Sequence, residues 1–381
     1  MKQSVRLGRV GGITVGAHWS VAVILVIIAQ VLAVSVLPSA HPHERPAVYW
    51  TVAVIAAVLF LASLLAHELA HALVARRSGV TVRSVTLWML GGVTEFEEEP
   101  PTAGADFKIA LAGPAASLAA GGLCYGAAAA VHFAGGPAIV VGAAVWLAVM
   151  NGILGVFNLL PGAPLDGGRV LRAVLWRRLG DRERAERAAG RTGQVLGAVI
   201  VAFGVAEAFA YRSAGGSLDG LWLILIGWFL ITAAGAETRA SAARTALADV
   251  RVADVMTPHP ECVSGQDSVT EFINGAARSG QDAFPVIGPG GELTGIVLTS
   301  QAGDIPGIEW DSRRLDQICL AVPPAYRAAP GDPAAPLAGR TPLGGEIAAV
   351  VLDRDRVIGM VTVSDLQRAA LRRQRLTGSR R

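Results

Sequence analysis

Residues 58–77 read VLFLASLLAHELAHALVARR, an apolar run interrupted by His67, Glu68 and His71 and closed by Arg76 and Arg77. In a helix, residues four apart share a face, so His67 and His71 can offer two imidazoles to a single ion with Glu68 beside them. The run belongs to an apolar stretch at about 48–75, and a helix of about 20 such residues crosses the hydrocarbon core of a bilayer. Ionisable groups at that depth cost about 2.5 kcal/mol or more each on insertion scales, so three of them close together require a compensating partner. A metal ion is such a partner, and zinc suits the donor set. A catalytic zinc takes three protein ligands and keeps one position open, so a third ligand must come from elsewhere in the chain.

Composition puts the rest of the chain in a similar environment. Of 381 residues, 52% are hydrophobic and 17% charged, against about 25% charged in soluble globular proteins, and the mean hydropathy is +0.48. Six stretches are long and apolar enough to span, near 17–38, 48–75, 107–133, 137–160, 193–211 and 218–236. The first follows Lys2, Arg6 and Arg9 and superficially resembles a secretory signal, but it is too long for one and reads as a retained span. Lys and Arg concentrate in alternate connections: Lys2, Arg6 and Arg9, then Arg76, Arg77 and Arg83, then eight arginines from Arg169 to Arg191. The connections around 41–46, 134–137 and 211–217 hold only Arg45 and Arg212. Positively charged connections stay on the cytoplasmic side, so the expectation is a multi-pass protein of the cell membrane with both termini cytoplasmic. The net charge of +3 is thereby read as topology, not as nucleic-acid binding. Cys124, Cys262 and Cys319 are too scattered for a disulfide framework.

From about Glu237 polar and charged residues return. The expected order is a membrane-embedded domain over 1–236, a linker over 237–249, two similar units over 250–308 and 309–372, and a basic tail over 373–381. Each unit pairs β-rich runs across a turn: Phe284 to Ile287 with Gly295 to Leu298, and Ala348 to Leu352 with Ile358 to Thr362. The fold class is then a polytopic α-helical membrane protein of about six transmembrane helices with a small β-hairpin, followed by a soluble α/β pair.

Topology also points to the third ligand. The second and fourth spans both run inward, so Asp166, in Asn158-Leu-Leu-Pro-Gly-Ala-Pro-Leu-Asp-Gly-Gly168 after the fourth, lies near the depth of His67 and His71. Pro161 and Pro164 break the helix there, and irregular backbone at membrane depth must be buried in protein or line a wet cavity. The bland alternative is a turn aspartate ahead of Gly167 and Gly168. Val80 to Met89 leads through Leu90, Gly91 and Gly92 into Val93 to Phe96 as a hairpin, either structural or able to pair with an extended substrate. Glu97, Glu98 and Glu99 read as a solvated rim.

Taken with Ile109-Ala-Leu-Ala-Gly-Pro114 at the third span, the zinc motif, the Leu90-Gly91-Gly92 step and the Asn158 to Gly168 segment resemble the site-2 protease family of intramembrane zinc metalloproteases, in the bacterial branch with paired CBS domains. The resemblance covers nearly the whole chain. It implies zinc held by His67, His71 and Asp166, Glu68 as general base for peptide hydrolysis, and Asn158, with Gly91 and Gly92, positioning the substrate. It also implies a transmembrane protein substrate such as a membrane-tethered anti-sigma factor. His18, at the entry of the first span, matches a histidine seen in similar members and would line the cavity, or else sits at the interface beside Trp19. In the CBS pair, Thr362 and Asp365 match positions that hold an adenine nucleotide, while the first unit departs from the pattern with Leu298 and Gln301. The pair could equally serve as a homodimer contact. The rival from another class is a CBS-regulated metal transporter or channel, which would place ligands at midplane and would not need Glu68 beside the first histidine.

Overall fold

A computed structural model describes residues 4–89, 91–96, 99–210, 219–340 and 342–378. Lys2, Leu90, Glu97, Glu98, the connection with Arg212, and residues 379–381 of the basic tail lie outside the described residues. The chain divides into two compact units, Met1–Thr238 and Arg239–Arg381.

The first unit opens with strands β1 (Val5–Val10) and β2 (Ile13–Ala17), and then α1 (Ser20–Ala40) and α2 (Pro46–Arg77). Strands β3 (Val82–Trp88) and β4 (Gly91–Phe96) precede helices α3 (Ala103–Phe133), α4 (Ala138–Asn158), α5 (Asp166–Leu179), α6 (Arg182–Ala210) and α7 (Asp219–Ala246). Six of the helices, all but α5, are long and apolar enough to cross a membrane. Pro46 starts α2, where its missing N–H costs no bond, and Arg76 and Arg77 occupy its last turn, at the helix dipole's negative end. Thr102 caps α3, its hydroxyl accepting from the Ala105 N–H at 3.1 Å.

The hairpin expected from Val80 onward exists as β3 and β4, but it is half of a sheet ordered β1-β2-β3-β4. β2 runs parallel to β3, so residues before the first span reach the hairpin that follows the second. β2 ends at Ala17, and α1 therefore starts at Ser20. Ile13 is buried with Ala72, Ala75 and Val85, anchoring the sheet on the C-terminal turns of α2. β4 is an edge strand.

The stretch expected as a linker is helical through Ala246, because Ala, Arg and Glu between 237 and 246 are good helix formers. The second unit contains helix α8 (Val252–Val255), strands β5 (Thr257–Pro258) and β6 (Val263–Ser264), helix α9 (Val269–Ser279), strands β7 (Ala283–Ile287) and β8 (Leu293–Leu298), and helices α10 (Thr299–Gly303) and α11 (Leu315–Ile318). It closes with β9 (Arg327–Ala328), β10 (Ile347–Asp353), β11 (Arg356–Thr362) and α12 (Val363–Gly378). The strands form two sheets, β6-β7-β8 and β5-β11-β10-β9. The halves exchange their leading segments. β5 pairs with β11, and Val252 and Val255 pack with Val351, Val361 and Leu366, whereas Leu315 packs with Phe272, Phe284 and Val297. Each half has an α/β core.

Candidate active site

His67 and His71 project from one face of α2 and are both buried, at 3% and 4% exposure. The His71 Nδ1 faces the Ile109 carbonyl oxygen of α3 at 2.7 Å. A carbonyl only accepts, so Nδ1 carries the proton and Nε2 keeps its lone pair. His67 Nδ1 meets Ser117 Oγ, also on α3, at 2.9 Å. Both outer nitrogens are thus engaged by α3, and both Nε2 atoms turn inward, 3.2 Å from each other.

Asp166, the first residue of α5, brings Oδ2 to 3.2 Å from each Nε2. The loop from Leu159 to Leu165 packs tightly enough that glycine is required at the start of α5. A Cβ on Gly167 would meet the carbonyl oxygens of Leu159 and Leu160, and one on Gly168 the backbone of Gly162 and Ala163.

The three ligand atoms all lie within 4.8 Å of one another. Three inward lone-pair donors at mutual separations of 3.2 Å repel unless a cation or proton lies between them. A tetrahedron with bonds of ~2.0 Å has edges of about 3.3 Å, so this donor set fits a zinc ion. The residues that fix the imidazoles from behind, Ser117 and Ile109, are of the type that orients first ligands in metal sites.

Glu68 lies beside this cluster, under the sheet. Its Oε2 accepts from the Thr94 hydroxyl of β4 at 3.0 Å. A Cβ on Gly92 would collide with the Glu68 side chain, so glycine there lets the edge strand close over the carboxylate. Gly113 of α3 does the same for the imidazoles, since its Cβ would run into both Nε2 atoms.

The other expected residues fall elsewhere. Gly91, at φ 140°, starts β4, and Asn158 is the last residue of α4. His18 belongs to the N-terminus of α1: its Nδ1 contacts Ser20 Oγ at 2.8 Å and accepts from the Ser20 N–H at 3.3 Å, and its backbone N–H donates to the Leu87 carbonyl at 2.8 Å. It is not in the three-residue metal cluster. In the second unit, the buried Asp365 carboxylate accepts from Thr362, Thr257 and Arg368, at 2.7, 3.4 and 2.6 Å. Ser117, Thr94, Asp106 and Arg172 were not singled out by sequence reasoning. Ser117 had a signal, as a polar residue seven past Ala110 on a face that also carries Gly113.

Six helices long and apolar enough to cross a membrane, with a His, His, Asp cluster whose histidines are buried and a glutamate at its side, define a membrane-embedded metallopeptidase. The chain belongs to the site-2 protease family of zinc metalloproteases: its residues 55–137 and 134–201 match Peptidase family M50, and residues 252–300 match the CBS domain. It is 44% identical, over 97% of its own length and 93% of the relative's, to Rip3 of Mycobacterium tuberculosis, assigned as a zinc metalloprotease. A protein of Synechocystis with the same assignment is 32% identical over 71% of this chain and 70% of its own. Among solved structures, the site-2 protease from Methanocaldococcus jannaschii is 26% identical, covering 61% of this chain and 94% of that one with a TM-score of 0.41.

Proposed function

We propose that the protein hydrolyses peptide bonds of transmembrane protein substrates near the cytoplasmic face of the cell membrane, with zinc at His67, His71 and Asp166 and Glu68 as general base. The observation that carries this reading is the convergence of two Nε2 atoms and one carboxylate oxygen at 3.2 Å, with the histidines' outer nitrogens engaged from behind. When bound, the ion supplies Lewis acidity, lowering the pKa of a water and polarising the scissile carbonyl. Glu68 accepts the proton of the attacking water and returns it to the leaving amine. Thr94 fixes Oε2 of that carboxylate, which leaves Oε1 for the proton. Because a transmembrane helix hides its carbonyls in hydrogen bonds, the segment to be cut must first be unwound. The free edge of β4 offers an extended chain backbone partners next to Glu68.

The arginines of the alternate connections support a membrane orientation with both termini cytoplasmic. A membrane-tethered regulator such as an anti-sigma factor is the substrate class that fits a cut at that face. A metal transporter is disfavoured by the glutamate held beside the cluster and by ligands gathered toward one end of α2. Glu68→Gln tests the assignment: zinc stays bound and fragments of the membrane substrate disappear. Normal cleavage by that variant would show that Glu68 is not the base, and zinc flux through reconstituted wild-type protein would favour the transporter.

An adenine nucleotide at Thr362 and Asp365 is supported by the CBS resemblance alone. Asp365 is engaged by Arg368 and Thr257 as well as Thr362, so a ribose reaching it must displace one of them. Calorimetric titration of the full-length protein with AMP and ATP tests this. Absence of heat at millimolar ligand would leave the pair as a dimer contact.

A further inference from the structure

Asp106, in the first turn of α3, is a carboxylate at 0% exposure. Arg172 of α5 closes on it with both arms of its fork: Nε donates to Oδ2 at 2.9 Å and Nη2 to Oδ1 at 2.7 Å. Its remaining Nη1 lies 3.5 Å from Glu186 Oε1 on α6. Arg169, also on α5, brings Nη2 to 3.8 Å from Asp106 Oδ1, and its guanidinium stands 5.3 Å from the centroid of the Phe96 ring on β4. The charged side chains that follow Asp166 on its own helix therefore reach α3, α6 and the edge strand.

These are the elements that assemble the site. Asp106 precedes by three residues the Ile109 carbonyl that fixes His71, on the helix that also carries Ser117 against His67. Arg172 follows Asp166 by six residues of α5, about 9 Å along the axis. As a source of stability the pair is a poor choice, because desolvating two charges roughly cancels their attraction and an apolar pair does as well or better. What the planar fork supplies, and an apolar pair does not, is a single registered geometry between two helices. Both requirements of a metal site, orientation of the histidines and placement of the carboxylate, depend on that register.

We propose that the Asp106–Arg172 ion pair is the positioning device that fixes α5 against α3 and so holds Asp166 Oδ2 at the Nε2 atoms of His67 and His71. Neither residue touches the ligand cluster, and both act through Asp166. The proposal rests on the zinc reading given above.

The test uses the full-length protein in detergent, stripped of metal and reloaded. Zinc affinity is measured by chelator competition, and coordination by the visible spectrum of the cobalt-substituted protein. Arg172→Lys keeps the charge and loses the fork; Asp106→Glu keeps the charge and moves the carboxylate outward by one methylene. Each variant is expected to unfold in one cooperative transition, to bind zinc ~10- to 100-fold more weakly, and to give an altered cobalt spectrum. Folded variants with wild-type zinc affinity and an unchanged cobalt spectrum would reduce the pair to a structural role and overturn the proposal. Should these two fail to fold, Asp106→Asn combined with Arg172→Gln removes both charges together, with Glu186 still paired to Arg182 and Arg169 still against the Phe96 ring. Weakened zinc binding in that double variant supports the proposal, and wild-type binding overturns it. A wild-type chain that takes up no zinc would instead sink the zinc reading itself, so the two failures are distinct.

Discussion

Gly113 faces the two imidazoles with nothing but a hydrogen, and a Cβ there would run into Nε2 of both His67 and His71. Gly113→Ala consequently separates metal binding from folding. Alanine is the better helix former by roughly 1 kcal/mol, so α3 should lose no intrinsic stability, yet the inward nitrogens must move. The expected outcome is a folded, helical protein whose zinc affinity falls by more than the ~10- to 100-fold typical of outer-shell changes. Zinc per chain, measured beside a thermal unfolding curve, checks it; full zinc occupancy with wild-type affinity would mean that the imidazoles can retreat without cost. The sequence made Gly113 visible as part of Ala112-Gly113-Pro114, but not its reason, because steric fit against a residue far away in the chain leaves no periodic trace. His67, Glu68 and His71 were legible for the opposite reason: their spacing is local and their cost in an apolar helix is large. Ser117 and Asp106 are single polar residues near or within the third span, and one such residue at a time carries little information without knowledge of what it faces.

At the level of elements, the loop that delivers Asp166 is shaped by α6. The Ala163 N–H donates to the Ala189 carbonyl of α6 at 3.2 Å, and a Cβ on Gly193 would run into the Ala163 carbonyl, as one on Gly162 would into the Gly193 backbone. Gly197, one helical turn further along α6, is also closely packed, but against Gly227 of α7. Comparing Gly193→Ala with Gly197→Ala therefore separates loop placement from general overpacking. Both changes should destabilise by about 1–3 kcal/mol, seen as similar shifts in unfolding midpoint. Only Gly193→Ala should also weaken zinc binding and slow substrate cleavage. Equal loss of cleavage in the two variants would show that α6 supports the loop only through overall stability. Gly and Ala are abundant in α6, as expected where small residues let helices pack closely in lipid, but abundance does not show that one glycine of the series abuts a ligand loop. The sheet was also half hidden. β3 and β4 announced themselves by β-branched residues, whereas β1 has no buried face and the turn before β2 contains Gly11 and Gly12, so no hydrophobic run marked them.

For the whole molecule, hydrophobic length was sufficient to find six crossing helices, because lipid demands one continuous apolar segment per span. The exchange of leading segments between the CBS halves was invisible, since two similar β-rich units look the same in sequence whichever core their first turn joins. Under the proposed topology, six spans put both termini on one side, and the arginine asymmetry is the reason to expect that side to be the cytoplasm. Cys262 can report on it directly. It is exposed in the second unit, whereas Cys124 lies in α3. Partial burial pushes the Cys262 thiol above its usual pKa. The thiolate is the reacting form, so labelling by a membrane-impermeant maleimide should be slow at neutral pH and accelerate as pH rises through the thiol's range. In inverted membrane vesicles the label should enter the second unit, with the Cys262 share lost in Cys262→Ser. In right-side-out vesicles it should not enter at any pH that keeps the membrane sealed. Labelling of Cys262 from the outside would reverse the orientation and, with it, move the expected cleavage to the outer face.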